Sequence, residues 1–335
     1  MNGELVLTGI KPTGKVHVGN YIGAIKPALK FAQESGCTAL FFIADYHALT
    51  FIQNPREFRE LSYGIAATWL ALGLDPERVV FYRQSDVPEV FELCWILSCV
   101  TPKGLMNRAH AYKAIVDRNE QSGIEPDTGV NMGLFTYPIL MAADILLFQA
   151  DKVPVGKDQV QHIEIARDIA EAFNRNYGET FKLPQYVVDE ETAVIPGLDG
   201  RKMSKSYNNT IPLFATSEEL RKLVGKIKTD STPPSEPKDP DTSTIFTLYK
   251  EFAAPEQAEE MRRRYAEGIG WGEAKEELFR VMDKFLEEPR KRYNEYMADP
   301  DTVDRILMDG ARKARAMAAP LMETVRRKIG RLRPV

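Results

Sequence analysis

With 335 residues, of which 44% are hydrophobic and 27% charged, the chain has the makeup of an ordinary globular protein, long enough for one large core or two domains of unequal size. A net charge of -4 argues against wholesale coating of nucleic acid but leaves room for a local basic patch. Cys37, Cys94 and Cys99 form neither a CxxC motif nor an even set for a disulfide framework, which points to a reducing cytoplasm. The N-terminal residues around Glu4 lack an apolar signal segment. The most apolar stretch, Leu134 to Ala150, is broken by Pro138 and Asp144, so no membrane span is expected.

The apolar run Leu5–Leu7 predicts a first strand, which leaves through Thr8-Gly9 and Pro12-Thr13-Gly14 before His17-Val18-Gly19-Asn20 open a helix. Pro27 falls inside that helix and is expected to bend it or move its boundaries. Further strands are predicted at 38–44, 79–83 and 152–156, with helical periodicity between them, as in 58–73. Such alternation implies a mostly parallel sheet covered on both faces. From Thr216, which forms a capping-box pattern with Glu219, helices dominate, interrupted by a Pro/Asp/Ser/Thr-rich loop at 229–244. The expected organisation is therefore an α/β nucleotide-binding domain over 1–211 and a helical region over 212–335. No internal repeat is present. The last 25 residues hold eight Lys/Arg against one Glu, a bias that a solvated helix face explains as well as an RNA contact does.

Two segments carry chemistry. Ligands of parallel sheets bind beyond the carboxyl ends of strands, where helix N-termini offer unpaired N–H groups to phosphate. Gly19 allows close backbone approach there, and His17 and Asn20 add side-chain donors. Alone, this is equally a glycine-rich turn with a capping Asn and a core histidine. The second segment, GLDGRKMSKSYNN at 197–209, places Lys202, Lys205, Ser204 and Ser206 on a polar loop suited to close over a triphosphate and neutralise charge on departing pyrophosphate. Alone, it reads as a basic surface linker.

In this chain order, HVGN and KMSKS resemble the HIGH-like and KMSKS signature pair of class I aminoacyl-tRNA synthetases. Asn20 stands where a second histidine is common; an amide donates to phosphate or ribose but carries no charge. TGIKPTGKVHVGNYIGA, the segment 135–174 and KMSKS together resemble the bacterial tryptophanyl-tRNA synthetase family, with a likeness over nearly the whole chain. It weakens across 101–125, where His110 and Lys113 receive no role. The resemblance implies a Rossmann-like parallel sheet, a C-terminal helical domain that receives the anticodon, and a symmetric homodimer. It also implies a reaction: tryptophan attacks the α-phosphorus of Mg-ATP, and the tryptophanyl group then passes to the terminal adenosine of tRNA(Trp). His17, Asn20, Lys202 and Lys205 would surround the phosphates. Lys11, Pro12, Thr13, Gly19, Gly156, Lys157, Asp158, Ile195, Met203, Ser204 and Ser206 match the family's other ATP-contacting positions. His47, Tyr137, Met141, Asp144 and Gln159 match positions around bound tryptophan. No resident metal or iron–sulfur cluster is expected, since the three cysteines lack a four-cysteine pattern.

The residues themselves support the tryptophan assignment. On a helix beginning near Thr136, Tyr137, Met141 and Asp144 share one face, while Ile139, Leu140, Ala143, Leu146 and Leu147 read mostly as core. Asp144 is the only charged residue between Asp127 and Asp151. A carboxylate in so apolar a stretch requires a partner, and an indole N–H is a suitable one. A structural Asp paired inside the protein is the other reading of these residues, and His47 reads equally as a satisfied buried histidine. His162, heading an amphipathic helix, reads as structural. Two other functions stay open: a tyrosyl-specific enzyme of the same architecture, whose substrate hydroxyl is also a donor, and a synthetase paralogue with a specialised binding role.

Overall fold

The computed structural model describes residues 4–33, 36–156, 159–187 and 195–331. Five parallel strands, β1 (Leu5–Ile10), β2 (Thr38–Ile43), β3 (Val80–Arg83), β4 (Lys152–Pro154) and β5 (Gln185–Val187), form one sheet in the order β3-β2-β1-β4-β5. The chain builds outward from β1 on one side, then crosses over and builds outward on the other. β1 and β4 therefore flank the switch point, where open α/β sheets bind ligands. Along β2 the faces alternate: Ala39, Phe41 and Ile43 join one core, and Leu40 and Phe42 the other. Both faces are covered, as a parallel sheet requires.

Strand boundaries differ from the sequence reading in instructive ways. β1 continues to Ile10 because Thr8 and Gly9 pair with Phe41 and Phe42 of β2 despite their turn-like character. β4 stops at Pro154 instead of running to 156, and the Gln159 N–H donates to the Gly156 carbonyl at 2.9 Å. β5 left no signal in the sequence because its three residues are exposed and too short to show a pattern. Pro27 acts as expected. The chain makes one α-turn at Val18–Asn20, widens into a π-helix at Tyr21–Ile25, and resumes as an α-helix at Lys26–Gln33. Pro27 has no N–H to extend the first ladder, and such widened turns absorb the mismatch. The helix carrying Asp144 begins at Met132, four residues before the expected start, because Asn131 caps it by accepting from the Leu134 N–H at 2.8 Å.

Beyond Thr216 the structure is helical: Ser217–Gly225, Thr244–Phe252, Pro255–Glu267, Trp271–Ala298 and Pro300–Lys328. Thr216 caps the first by accepting from the Glu219 N–H, but among the described residues no return bond from the Glu219 side chain completes the box. Asp299 ends one long helix and caps the next through the Thr302 N–H at 3.1 Å. The helix Trp271–Ala298 lies along Pro55–Ala71, and Pro300–Lys328 returns to cross β3. Ala311, Ala314, Ala318, Met322 and Val325 share a core with Leu7, Leu40 and Tyr82. The basic C-terminal end is largely engaged inside the protein: Arg315 pairs with Glu89, Arg326 and Arg331 with Glu92, and Arg312 and Lys313 with Asp309. Among the described residues no helix is long and apolar enough to cross a membrane.

Candidate functional site

Register brings three turns together. Ile10, Ile43 and Arg83 lie side by side at the carboxyl ends of β1, β2 and β3. The chain therefore leaves toward Lys11, Asp45 and Gln84 along one edge of the sheet. In the first turn Pro12 is buried and Thr13 exposed, and Lys11 Nζ rests on Thr50 Oγ1 at 3.2 Å and over the Phe51 ring. His17 and Asn20 form a reciprocal cap at the helix start. The His17 N–H donates to Asn20 Oδ1 at 3.1 Å, and His17 Nδ1 accepts from the Asn20 N–H at 3.3 Å.

Burial, and secondarily the Lys205 charge, push the His17 pKa down from 6.5 to about 4. Nδ1 acts as an acceptor, so the neutral ring carries its proton on Nε2. His17 is thus an uncharged donor at neutral pH, and positive charge at this edge must come from lysine. A histidine with a depressed pKa contributes stability that is complete above 6.5 and lost as pH falls toward 4. His17→Gln is accordingly expected to flatten the fall in unfolding free energy between those pH values, by no more than about 3 kcal/mol. Denaturant melts across that window check this, and an unchanged slope contradicts it.

The lysine loop is stitched to the same helix start. The Val18 N–H donates to the Ile211 carbonyl at 2.9 Å, and the Leu213 N–H to the Val16 carbonyl at 3.0 Å. Met203 is buried, and its sulfur accepts from the Gly19 N–H at 3.2 Å. Lys205 Nζ reaches the Thr13 carbonyl at 3.3 Å, while Lys202 is exposed. Ser204 and Ser206 share a hydrogen bond of 2.9 Å between their hydroxyls. Ile195 is buried and accepts through its carbonyl from the Met203 N–H at 2.8 Å. Asn209, to which the sequence alone assigns nothing, organises the whole loop. Its Oδ1 accepts from the Ser204 N–H at 2.8 Å, and its Nδ2 donates to Asp199 at 2.7 Å and to the Lys202 carbonyl at 3.1 Å.

Asp144 lies beyond β2 and β3, 1% exposed. Its Oδ2 accepts from His47 Nε2–H at 2.9 Å, and Gln84 Nε2 donates to Oδ1 at 2.8 Å and to Oδ2 at 2.9 Å. Burial raises the Asp144 pKa, and the bonds from His47 and Gln84 oppose that rise. The His47 ring meets Tyr137 edge-on, and the Tyr137 hydroxyl donates to His162 Nε2 at 2.5 Å. His162 Nδ1 in turn donates to Gln159 Oε1 at 2.9 Å. His47, Tyr137, Asp144 and Gln159 therefore lie in one cluster, in which the edge-on ring contact joins the His47–Asp144 bond to a hydrogen-bonded chain from Tyr137 through His162 to Gln159, and Met141 is half-buried on the same helix between Tyr137 and Asp144. His162 links this chain, a connection that its amphipathic helix did not reveal. Asp45 and Ser85 clasp the two exit turns: Asp45 accepts from the Ser85 hydroxyl at 2.5 Å and from its N–H at 3.1 Å.

Some expected positions lie elsewhere. Lys157 and Asp158 fall outside the described residues, and Gly156 is exposed just beyond β4. His110 and Lys113 are exposed on the helix His110–Gln121, where the His110 N–H donates to Gln161 rather than entering the site. Among the described residues no cluster of three or more His, Cys, Asp or Glu side chains is placed to hold a metal ion.

A phosphate-type helix start at the switch point, bound by a lysine loop that arrives just ahead of a helical region, is the architecture of class I aminoacyl-tRNA synthetases. Residues 4–287 match the model of the family described as tRNA synthetases class I (W and Y). The chain belongs to that family and, within it, to the tryptophan–tRNA ligases. It is 56% identical over 327 residues to the tryptophan–tRNA ligase of Bordetella parapertussis, covering 97% of this chain and 72% of that one. The tryptophan–tRNA ligase of Neisseria meningitidis is 52% identical over 336 residues, with both chains covered completely. Among solved structures, tryptophanyl-tRNA synthetase from Campylobacter jejuni, complexed with ADP and tryptophan, superposes with a TM-score of 0.89 at 46% identity, covering 97% of this chain and 99% of that one.

Proposed function

We propose that this chain activates L-tryptophan with Mg-ATP and transfers it to tRNA(Trp), with the two signature segments acting as one phosphate site and Asp144 as the indole acceptor. A tryptophan carboxylate oxygen bonds to the α-phosphorus as the bond to pyrophosphate breaks, leaving tryptophanyl-adenylate. A ribose hydroxyl of the tRNA's terminal adenosine then attacks the acyl carbon and releases AMP. No protein nucleophile is needed; positioning and charge stabilisation do the catalysis. The observation that carries this reading is the attachment of the lysine loop to the HVGN helix start through Val18, Gly19 and Lys205.

His17 and Asn20 serve as neutral donors to the phosphates, and Lys202 and Lys205 supply positive charge. The Gly19 N–H is held by a thioether sulfur, a weak acceptor that a phosphate oxygen displaces. Lys11, Pro12, Thr13, Ile195, Met203, Ser204 and Ser206 line the nucleotide's approach, and Gly156, Lys157 and Asp158 are assigned to the nucleotide by their match to the family's motif. Mg²⁺ rides on the ATP oxygens and keeps much of its own water. His47, Tyr137, Met141, Asp144 and Gln159 receive tryptophan. The relatives at 52–56% identity are tryptophan ligases, which favours tryptophan over tyrosine.

The region 212–335 is assigned to reading the tRNA anticodon, and the cytoplasm is the compartment consistent with three free cysteines. Phe91, Trp95 and Cys99 recur at four-residue spacing beside Tyr46, and Trp95 is 73% exposed. A second copy of the chain would cover this apolar row, so the protein is assigned as a homodimer; a monomeric mass by sedimentation velocity contradicts this. Asp144→Ala is expected to weaken tryptophan binding by about 1.5–3 kcal/mol, the range for a hydrogen bond to a charged group, with ATP affinity unchanged. Equilibrium binding of each substrate checks it, and wild-type tryptophan affinity in the variant ends the indole-acceptor role.

A further inference from the structure

We infer that Gln84 is a specificity-positioning residue, which presents Asp144 as a fixed acceptor for the indole N–H and so selects tryptophan over isosteres lacking that donor. The inference rests on the reading of Asp144 just given.

Gln84 is fully buried, the first residue of a 3₁₀ turn, Gln84–Asp86, at the carboxyl end of β3. Its single amide nitrogen donates to both oxygens of Asp144, at 2.8 and 2.9 Å. A carboxylate has about four lone-pair sites in its plane. His47 and Gln84 together occupy both sites on the Oδ2 side and one on Oδ1, which leaves Oδ1 with the remaining capacity to accept. The two donors come from different strand ends, so the carboxylate is held from two sides and cannot rotate without breaking one of them.

The Gln84 carbonyl oxygen, Oε1, is buried and has no hydrogen-bond partner among the described residues. Buried orphan acceptors are rare and destabilising, and they call for an explanation. An apolar side chain of similar length would fill the same space without the orphan, so packing alone does not account for a glutamine here. The bond to Asp144 does. The turn that carries Gln84 is itself braced, since Ser85 binds Asp45 through both its N–H and its hydroxyl, and Asp45 opens the short helix that carries His47. The same clasp therefore sets both donors against Asp144. Burial favours the protonated form of that carboxyl. Removing an N–H donor pushes it further that way, and a protonated carboxyl is a poorer acceptor for an indole N–H.

The test compares tryptophan with β-(benzothiophen-3-yl)alanine, in which sulfur replaces the indole N–H, by ATP–pyrophosphate exchange. Wild type, Asp144→Asn, Gln84→Met and Gln84→Leu are measured, the two apolar side chains filling most of the glutamine's space without its donor. Wild type is expected to prefer tryptophan in kcat/KM. Both Gln84 variants should lose roughly tenfold or more of that preference, through a raised KM for tryptophan, with the KM for ATP and the analogue's kcat/KM nearly unchanged. A purely structural role would lower both amino acids equally, and that result overturns the inference. So does full preference in whichever Gln84 variant folds, provided that Asp144→Asn has lost it. If wild type shows no preference, or Asp144→Asn keeps it, the underlying role of Asp144 has failed instead.

Discussion

Lys205→Ala is expected to slow single-turnover formation of tryptophanyl-adenylate by about 10²–10³-fold, equivalent to 2.7–4 kcal/mol, the usual loss for one preorganised group facing developing charge. The Lys205 ammonium reaches across from the KMSKS loop to the Thr13 carbonyl at 3.3 Å, which places it over the loop leaving β1. Gly14 keeps that path open. A Cβ there would sit 2.8 Å from the Lys205 nitrogen, and its φ of +126° is one that L side chains rarely adopt. In the proposed role, charge moves onto pyrophosphate as the bond to the α-phosphorus breaks, so the lysine would act more strongly on the transition state than on bound ATP. Removing it should lower the rate constant and leave ground-state ATP affinity nearly alone. Transfer from preformed adenylate to tRNA should be much less affected, because pyrophosphate has already left. Rapid-quench measurements of the two half-reactions separate these effects, and equal losses in both steps contradict the assignment.

Gly310→Ala is expected to destabilise the fold by about 3 kcal/mol or more, a large share of a typical domain's 5–15 kcal/mol. A methyl group at Gly310 would lie 1.7 Å from the carbonyl oxygen of Phe81 in β3. That neighbour is backbone, so no rotamer change relieves the clash, and the helix Pro300–Lys328 must lift from the sheet. Ala311, Ala314 and Ala318 continue this close contact along the same helix. β3 ends at Arg83, immediately before Gln84, so a loosened β3 should also raise the KM for tryptophan. Met308→Ala, at a side chain 62% exposed on the same helix, should stay within about 0.5 kcal/mol of wild type. Urea midpoints for the two variants check the contrast; a Gly310→Ala midpoint near wild type removes the close-approach argument.

The parallel sheet and the two signature segments were legible in the sequence because each is local. Strand runs, the exit through Pro12 and Gly14, HVGN and KMSKS all announce themselves within a few consecutive residues. Asp144 was legible for a different reason, as a lone charge in an apolar helix. Its partners were not. His47, Gln84 and Asp144 come from the ends of β2 and β3 and from a later helix, and only strand register brings them together. The sequence left open whether Asp144 is paired inside the protein or waits for a ligand, and the structure shows internal pairing with acceptor capacity remaining on Oδ1. Asn209 looked like part of a polar turn, yet its four-way bonding shapes the KMSKS loop. The return of the last helix to β3 was equally hidden, since the signal is a glycine whose close neighbour lies 229 positions earlier in the chain.

The most direct test is ATP–pyrophosphate exchange measured with each of the twenty amino acids at equal, subsaturating concentration. Tryptophan should support exchange at a rate orders of magnitude above tyrosine and phenylalanine. Exchange supported equally well by tyrosine, or by no amino acid at all, would contradict a site built around Asp144 and the two signature segments.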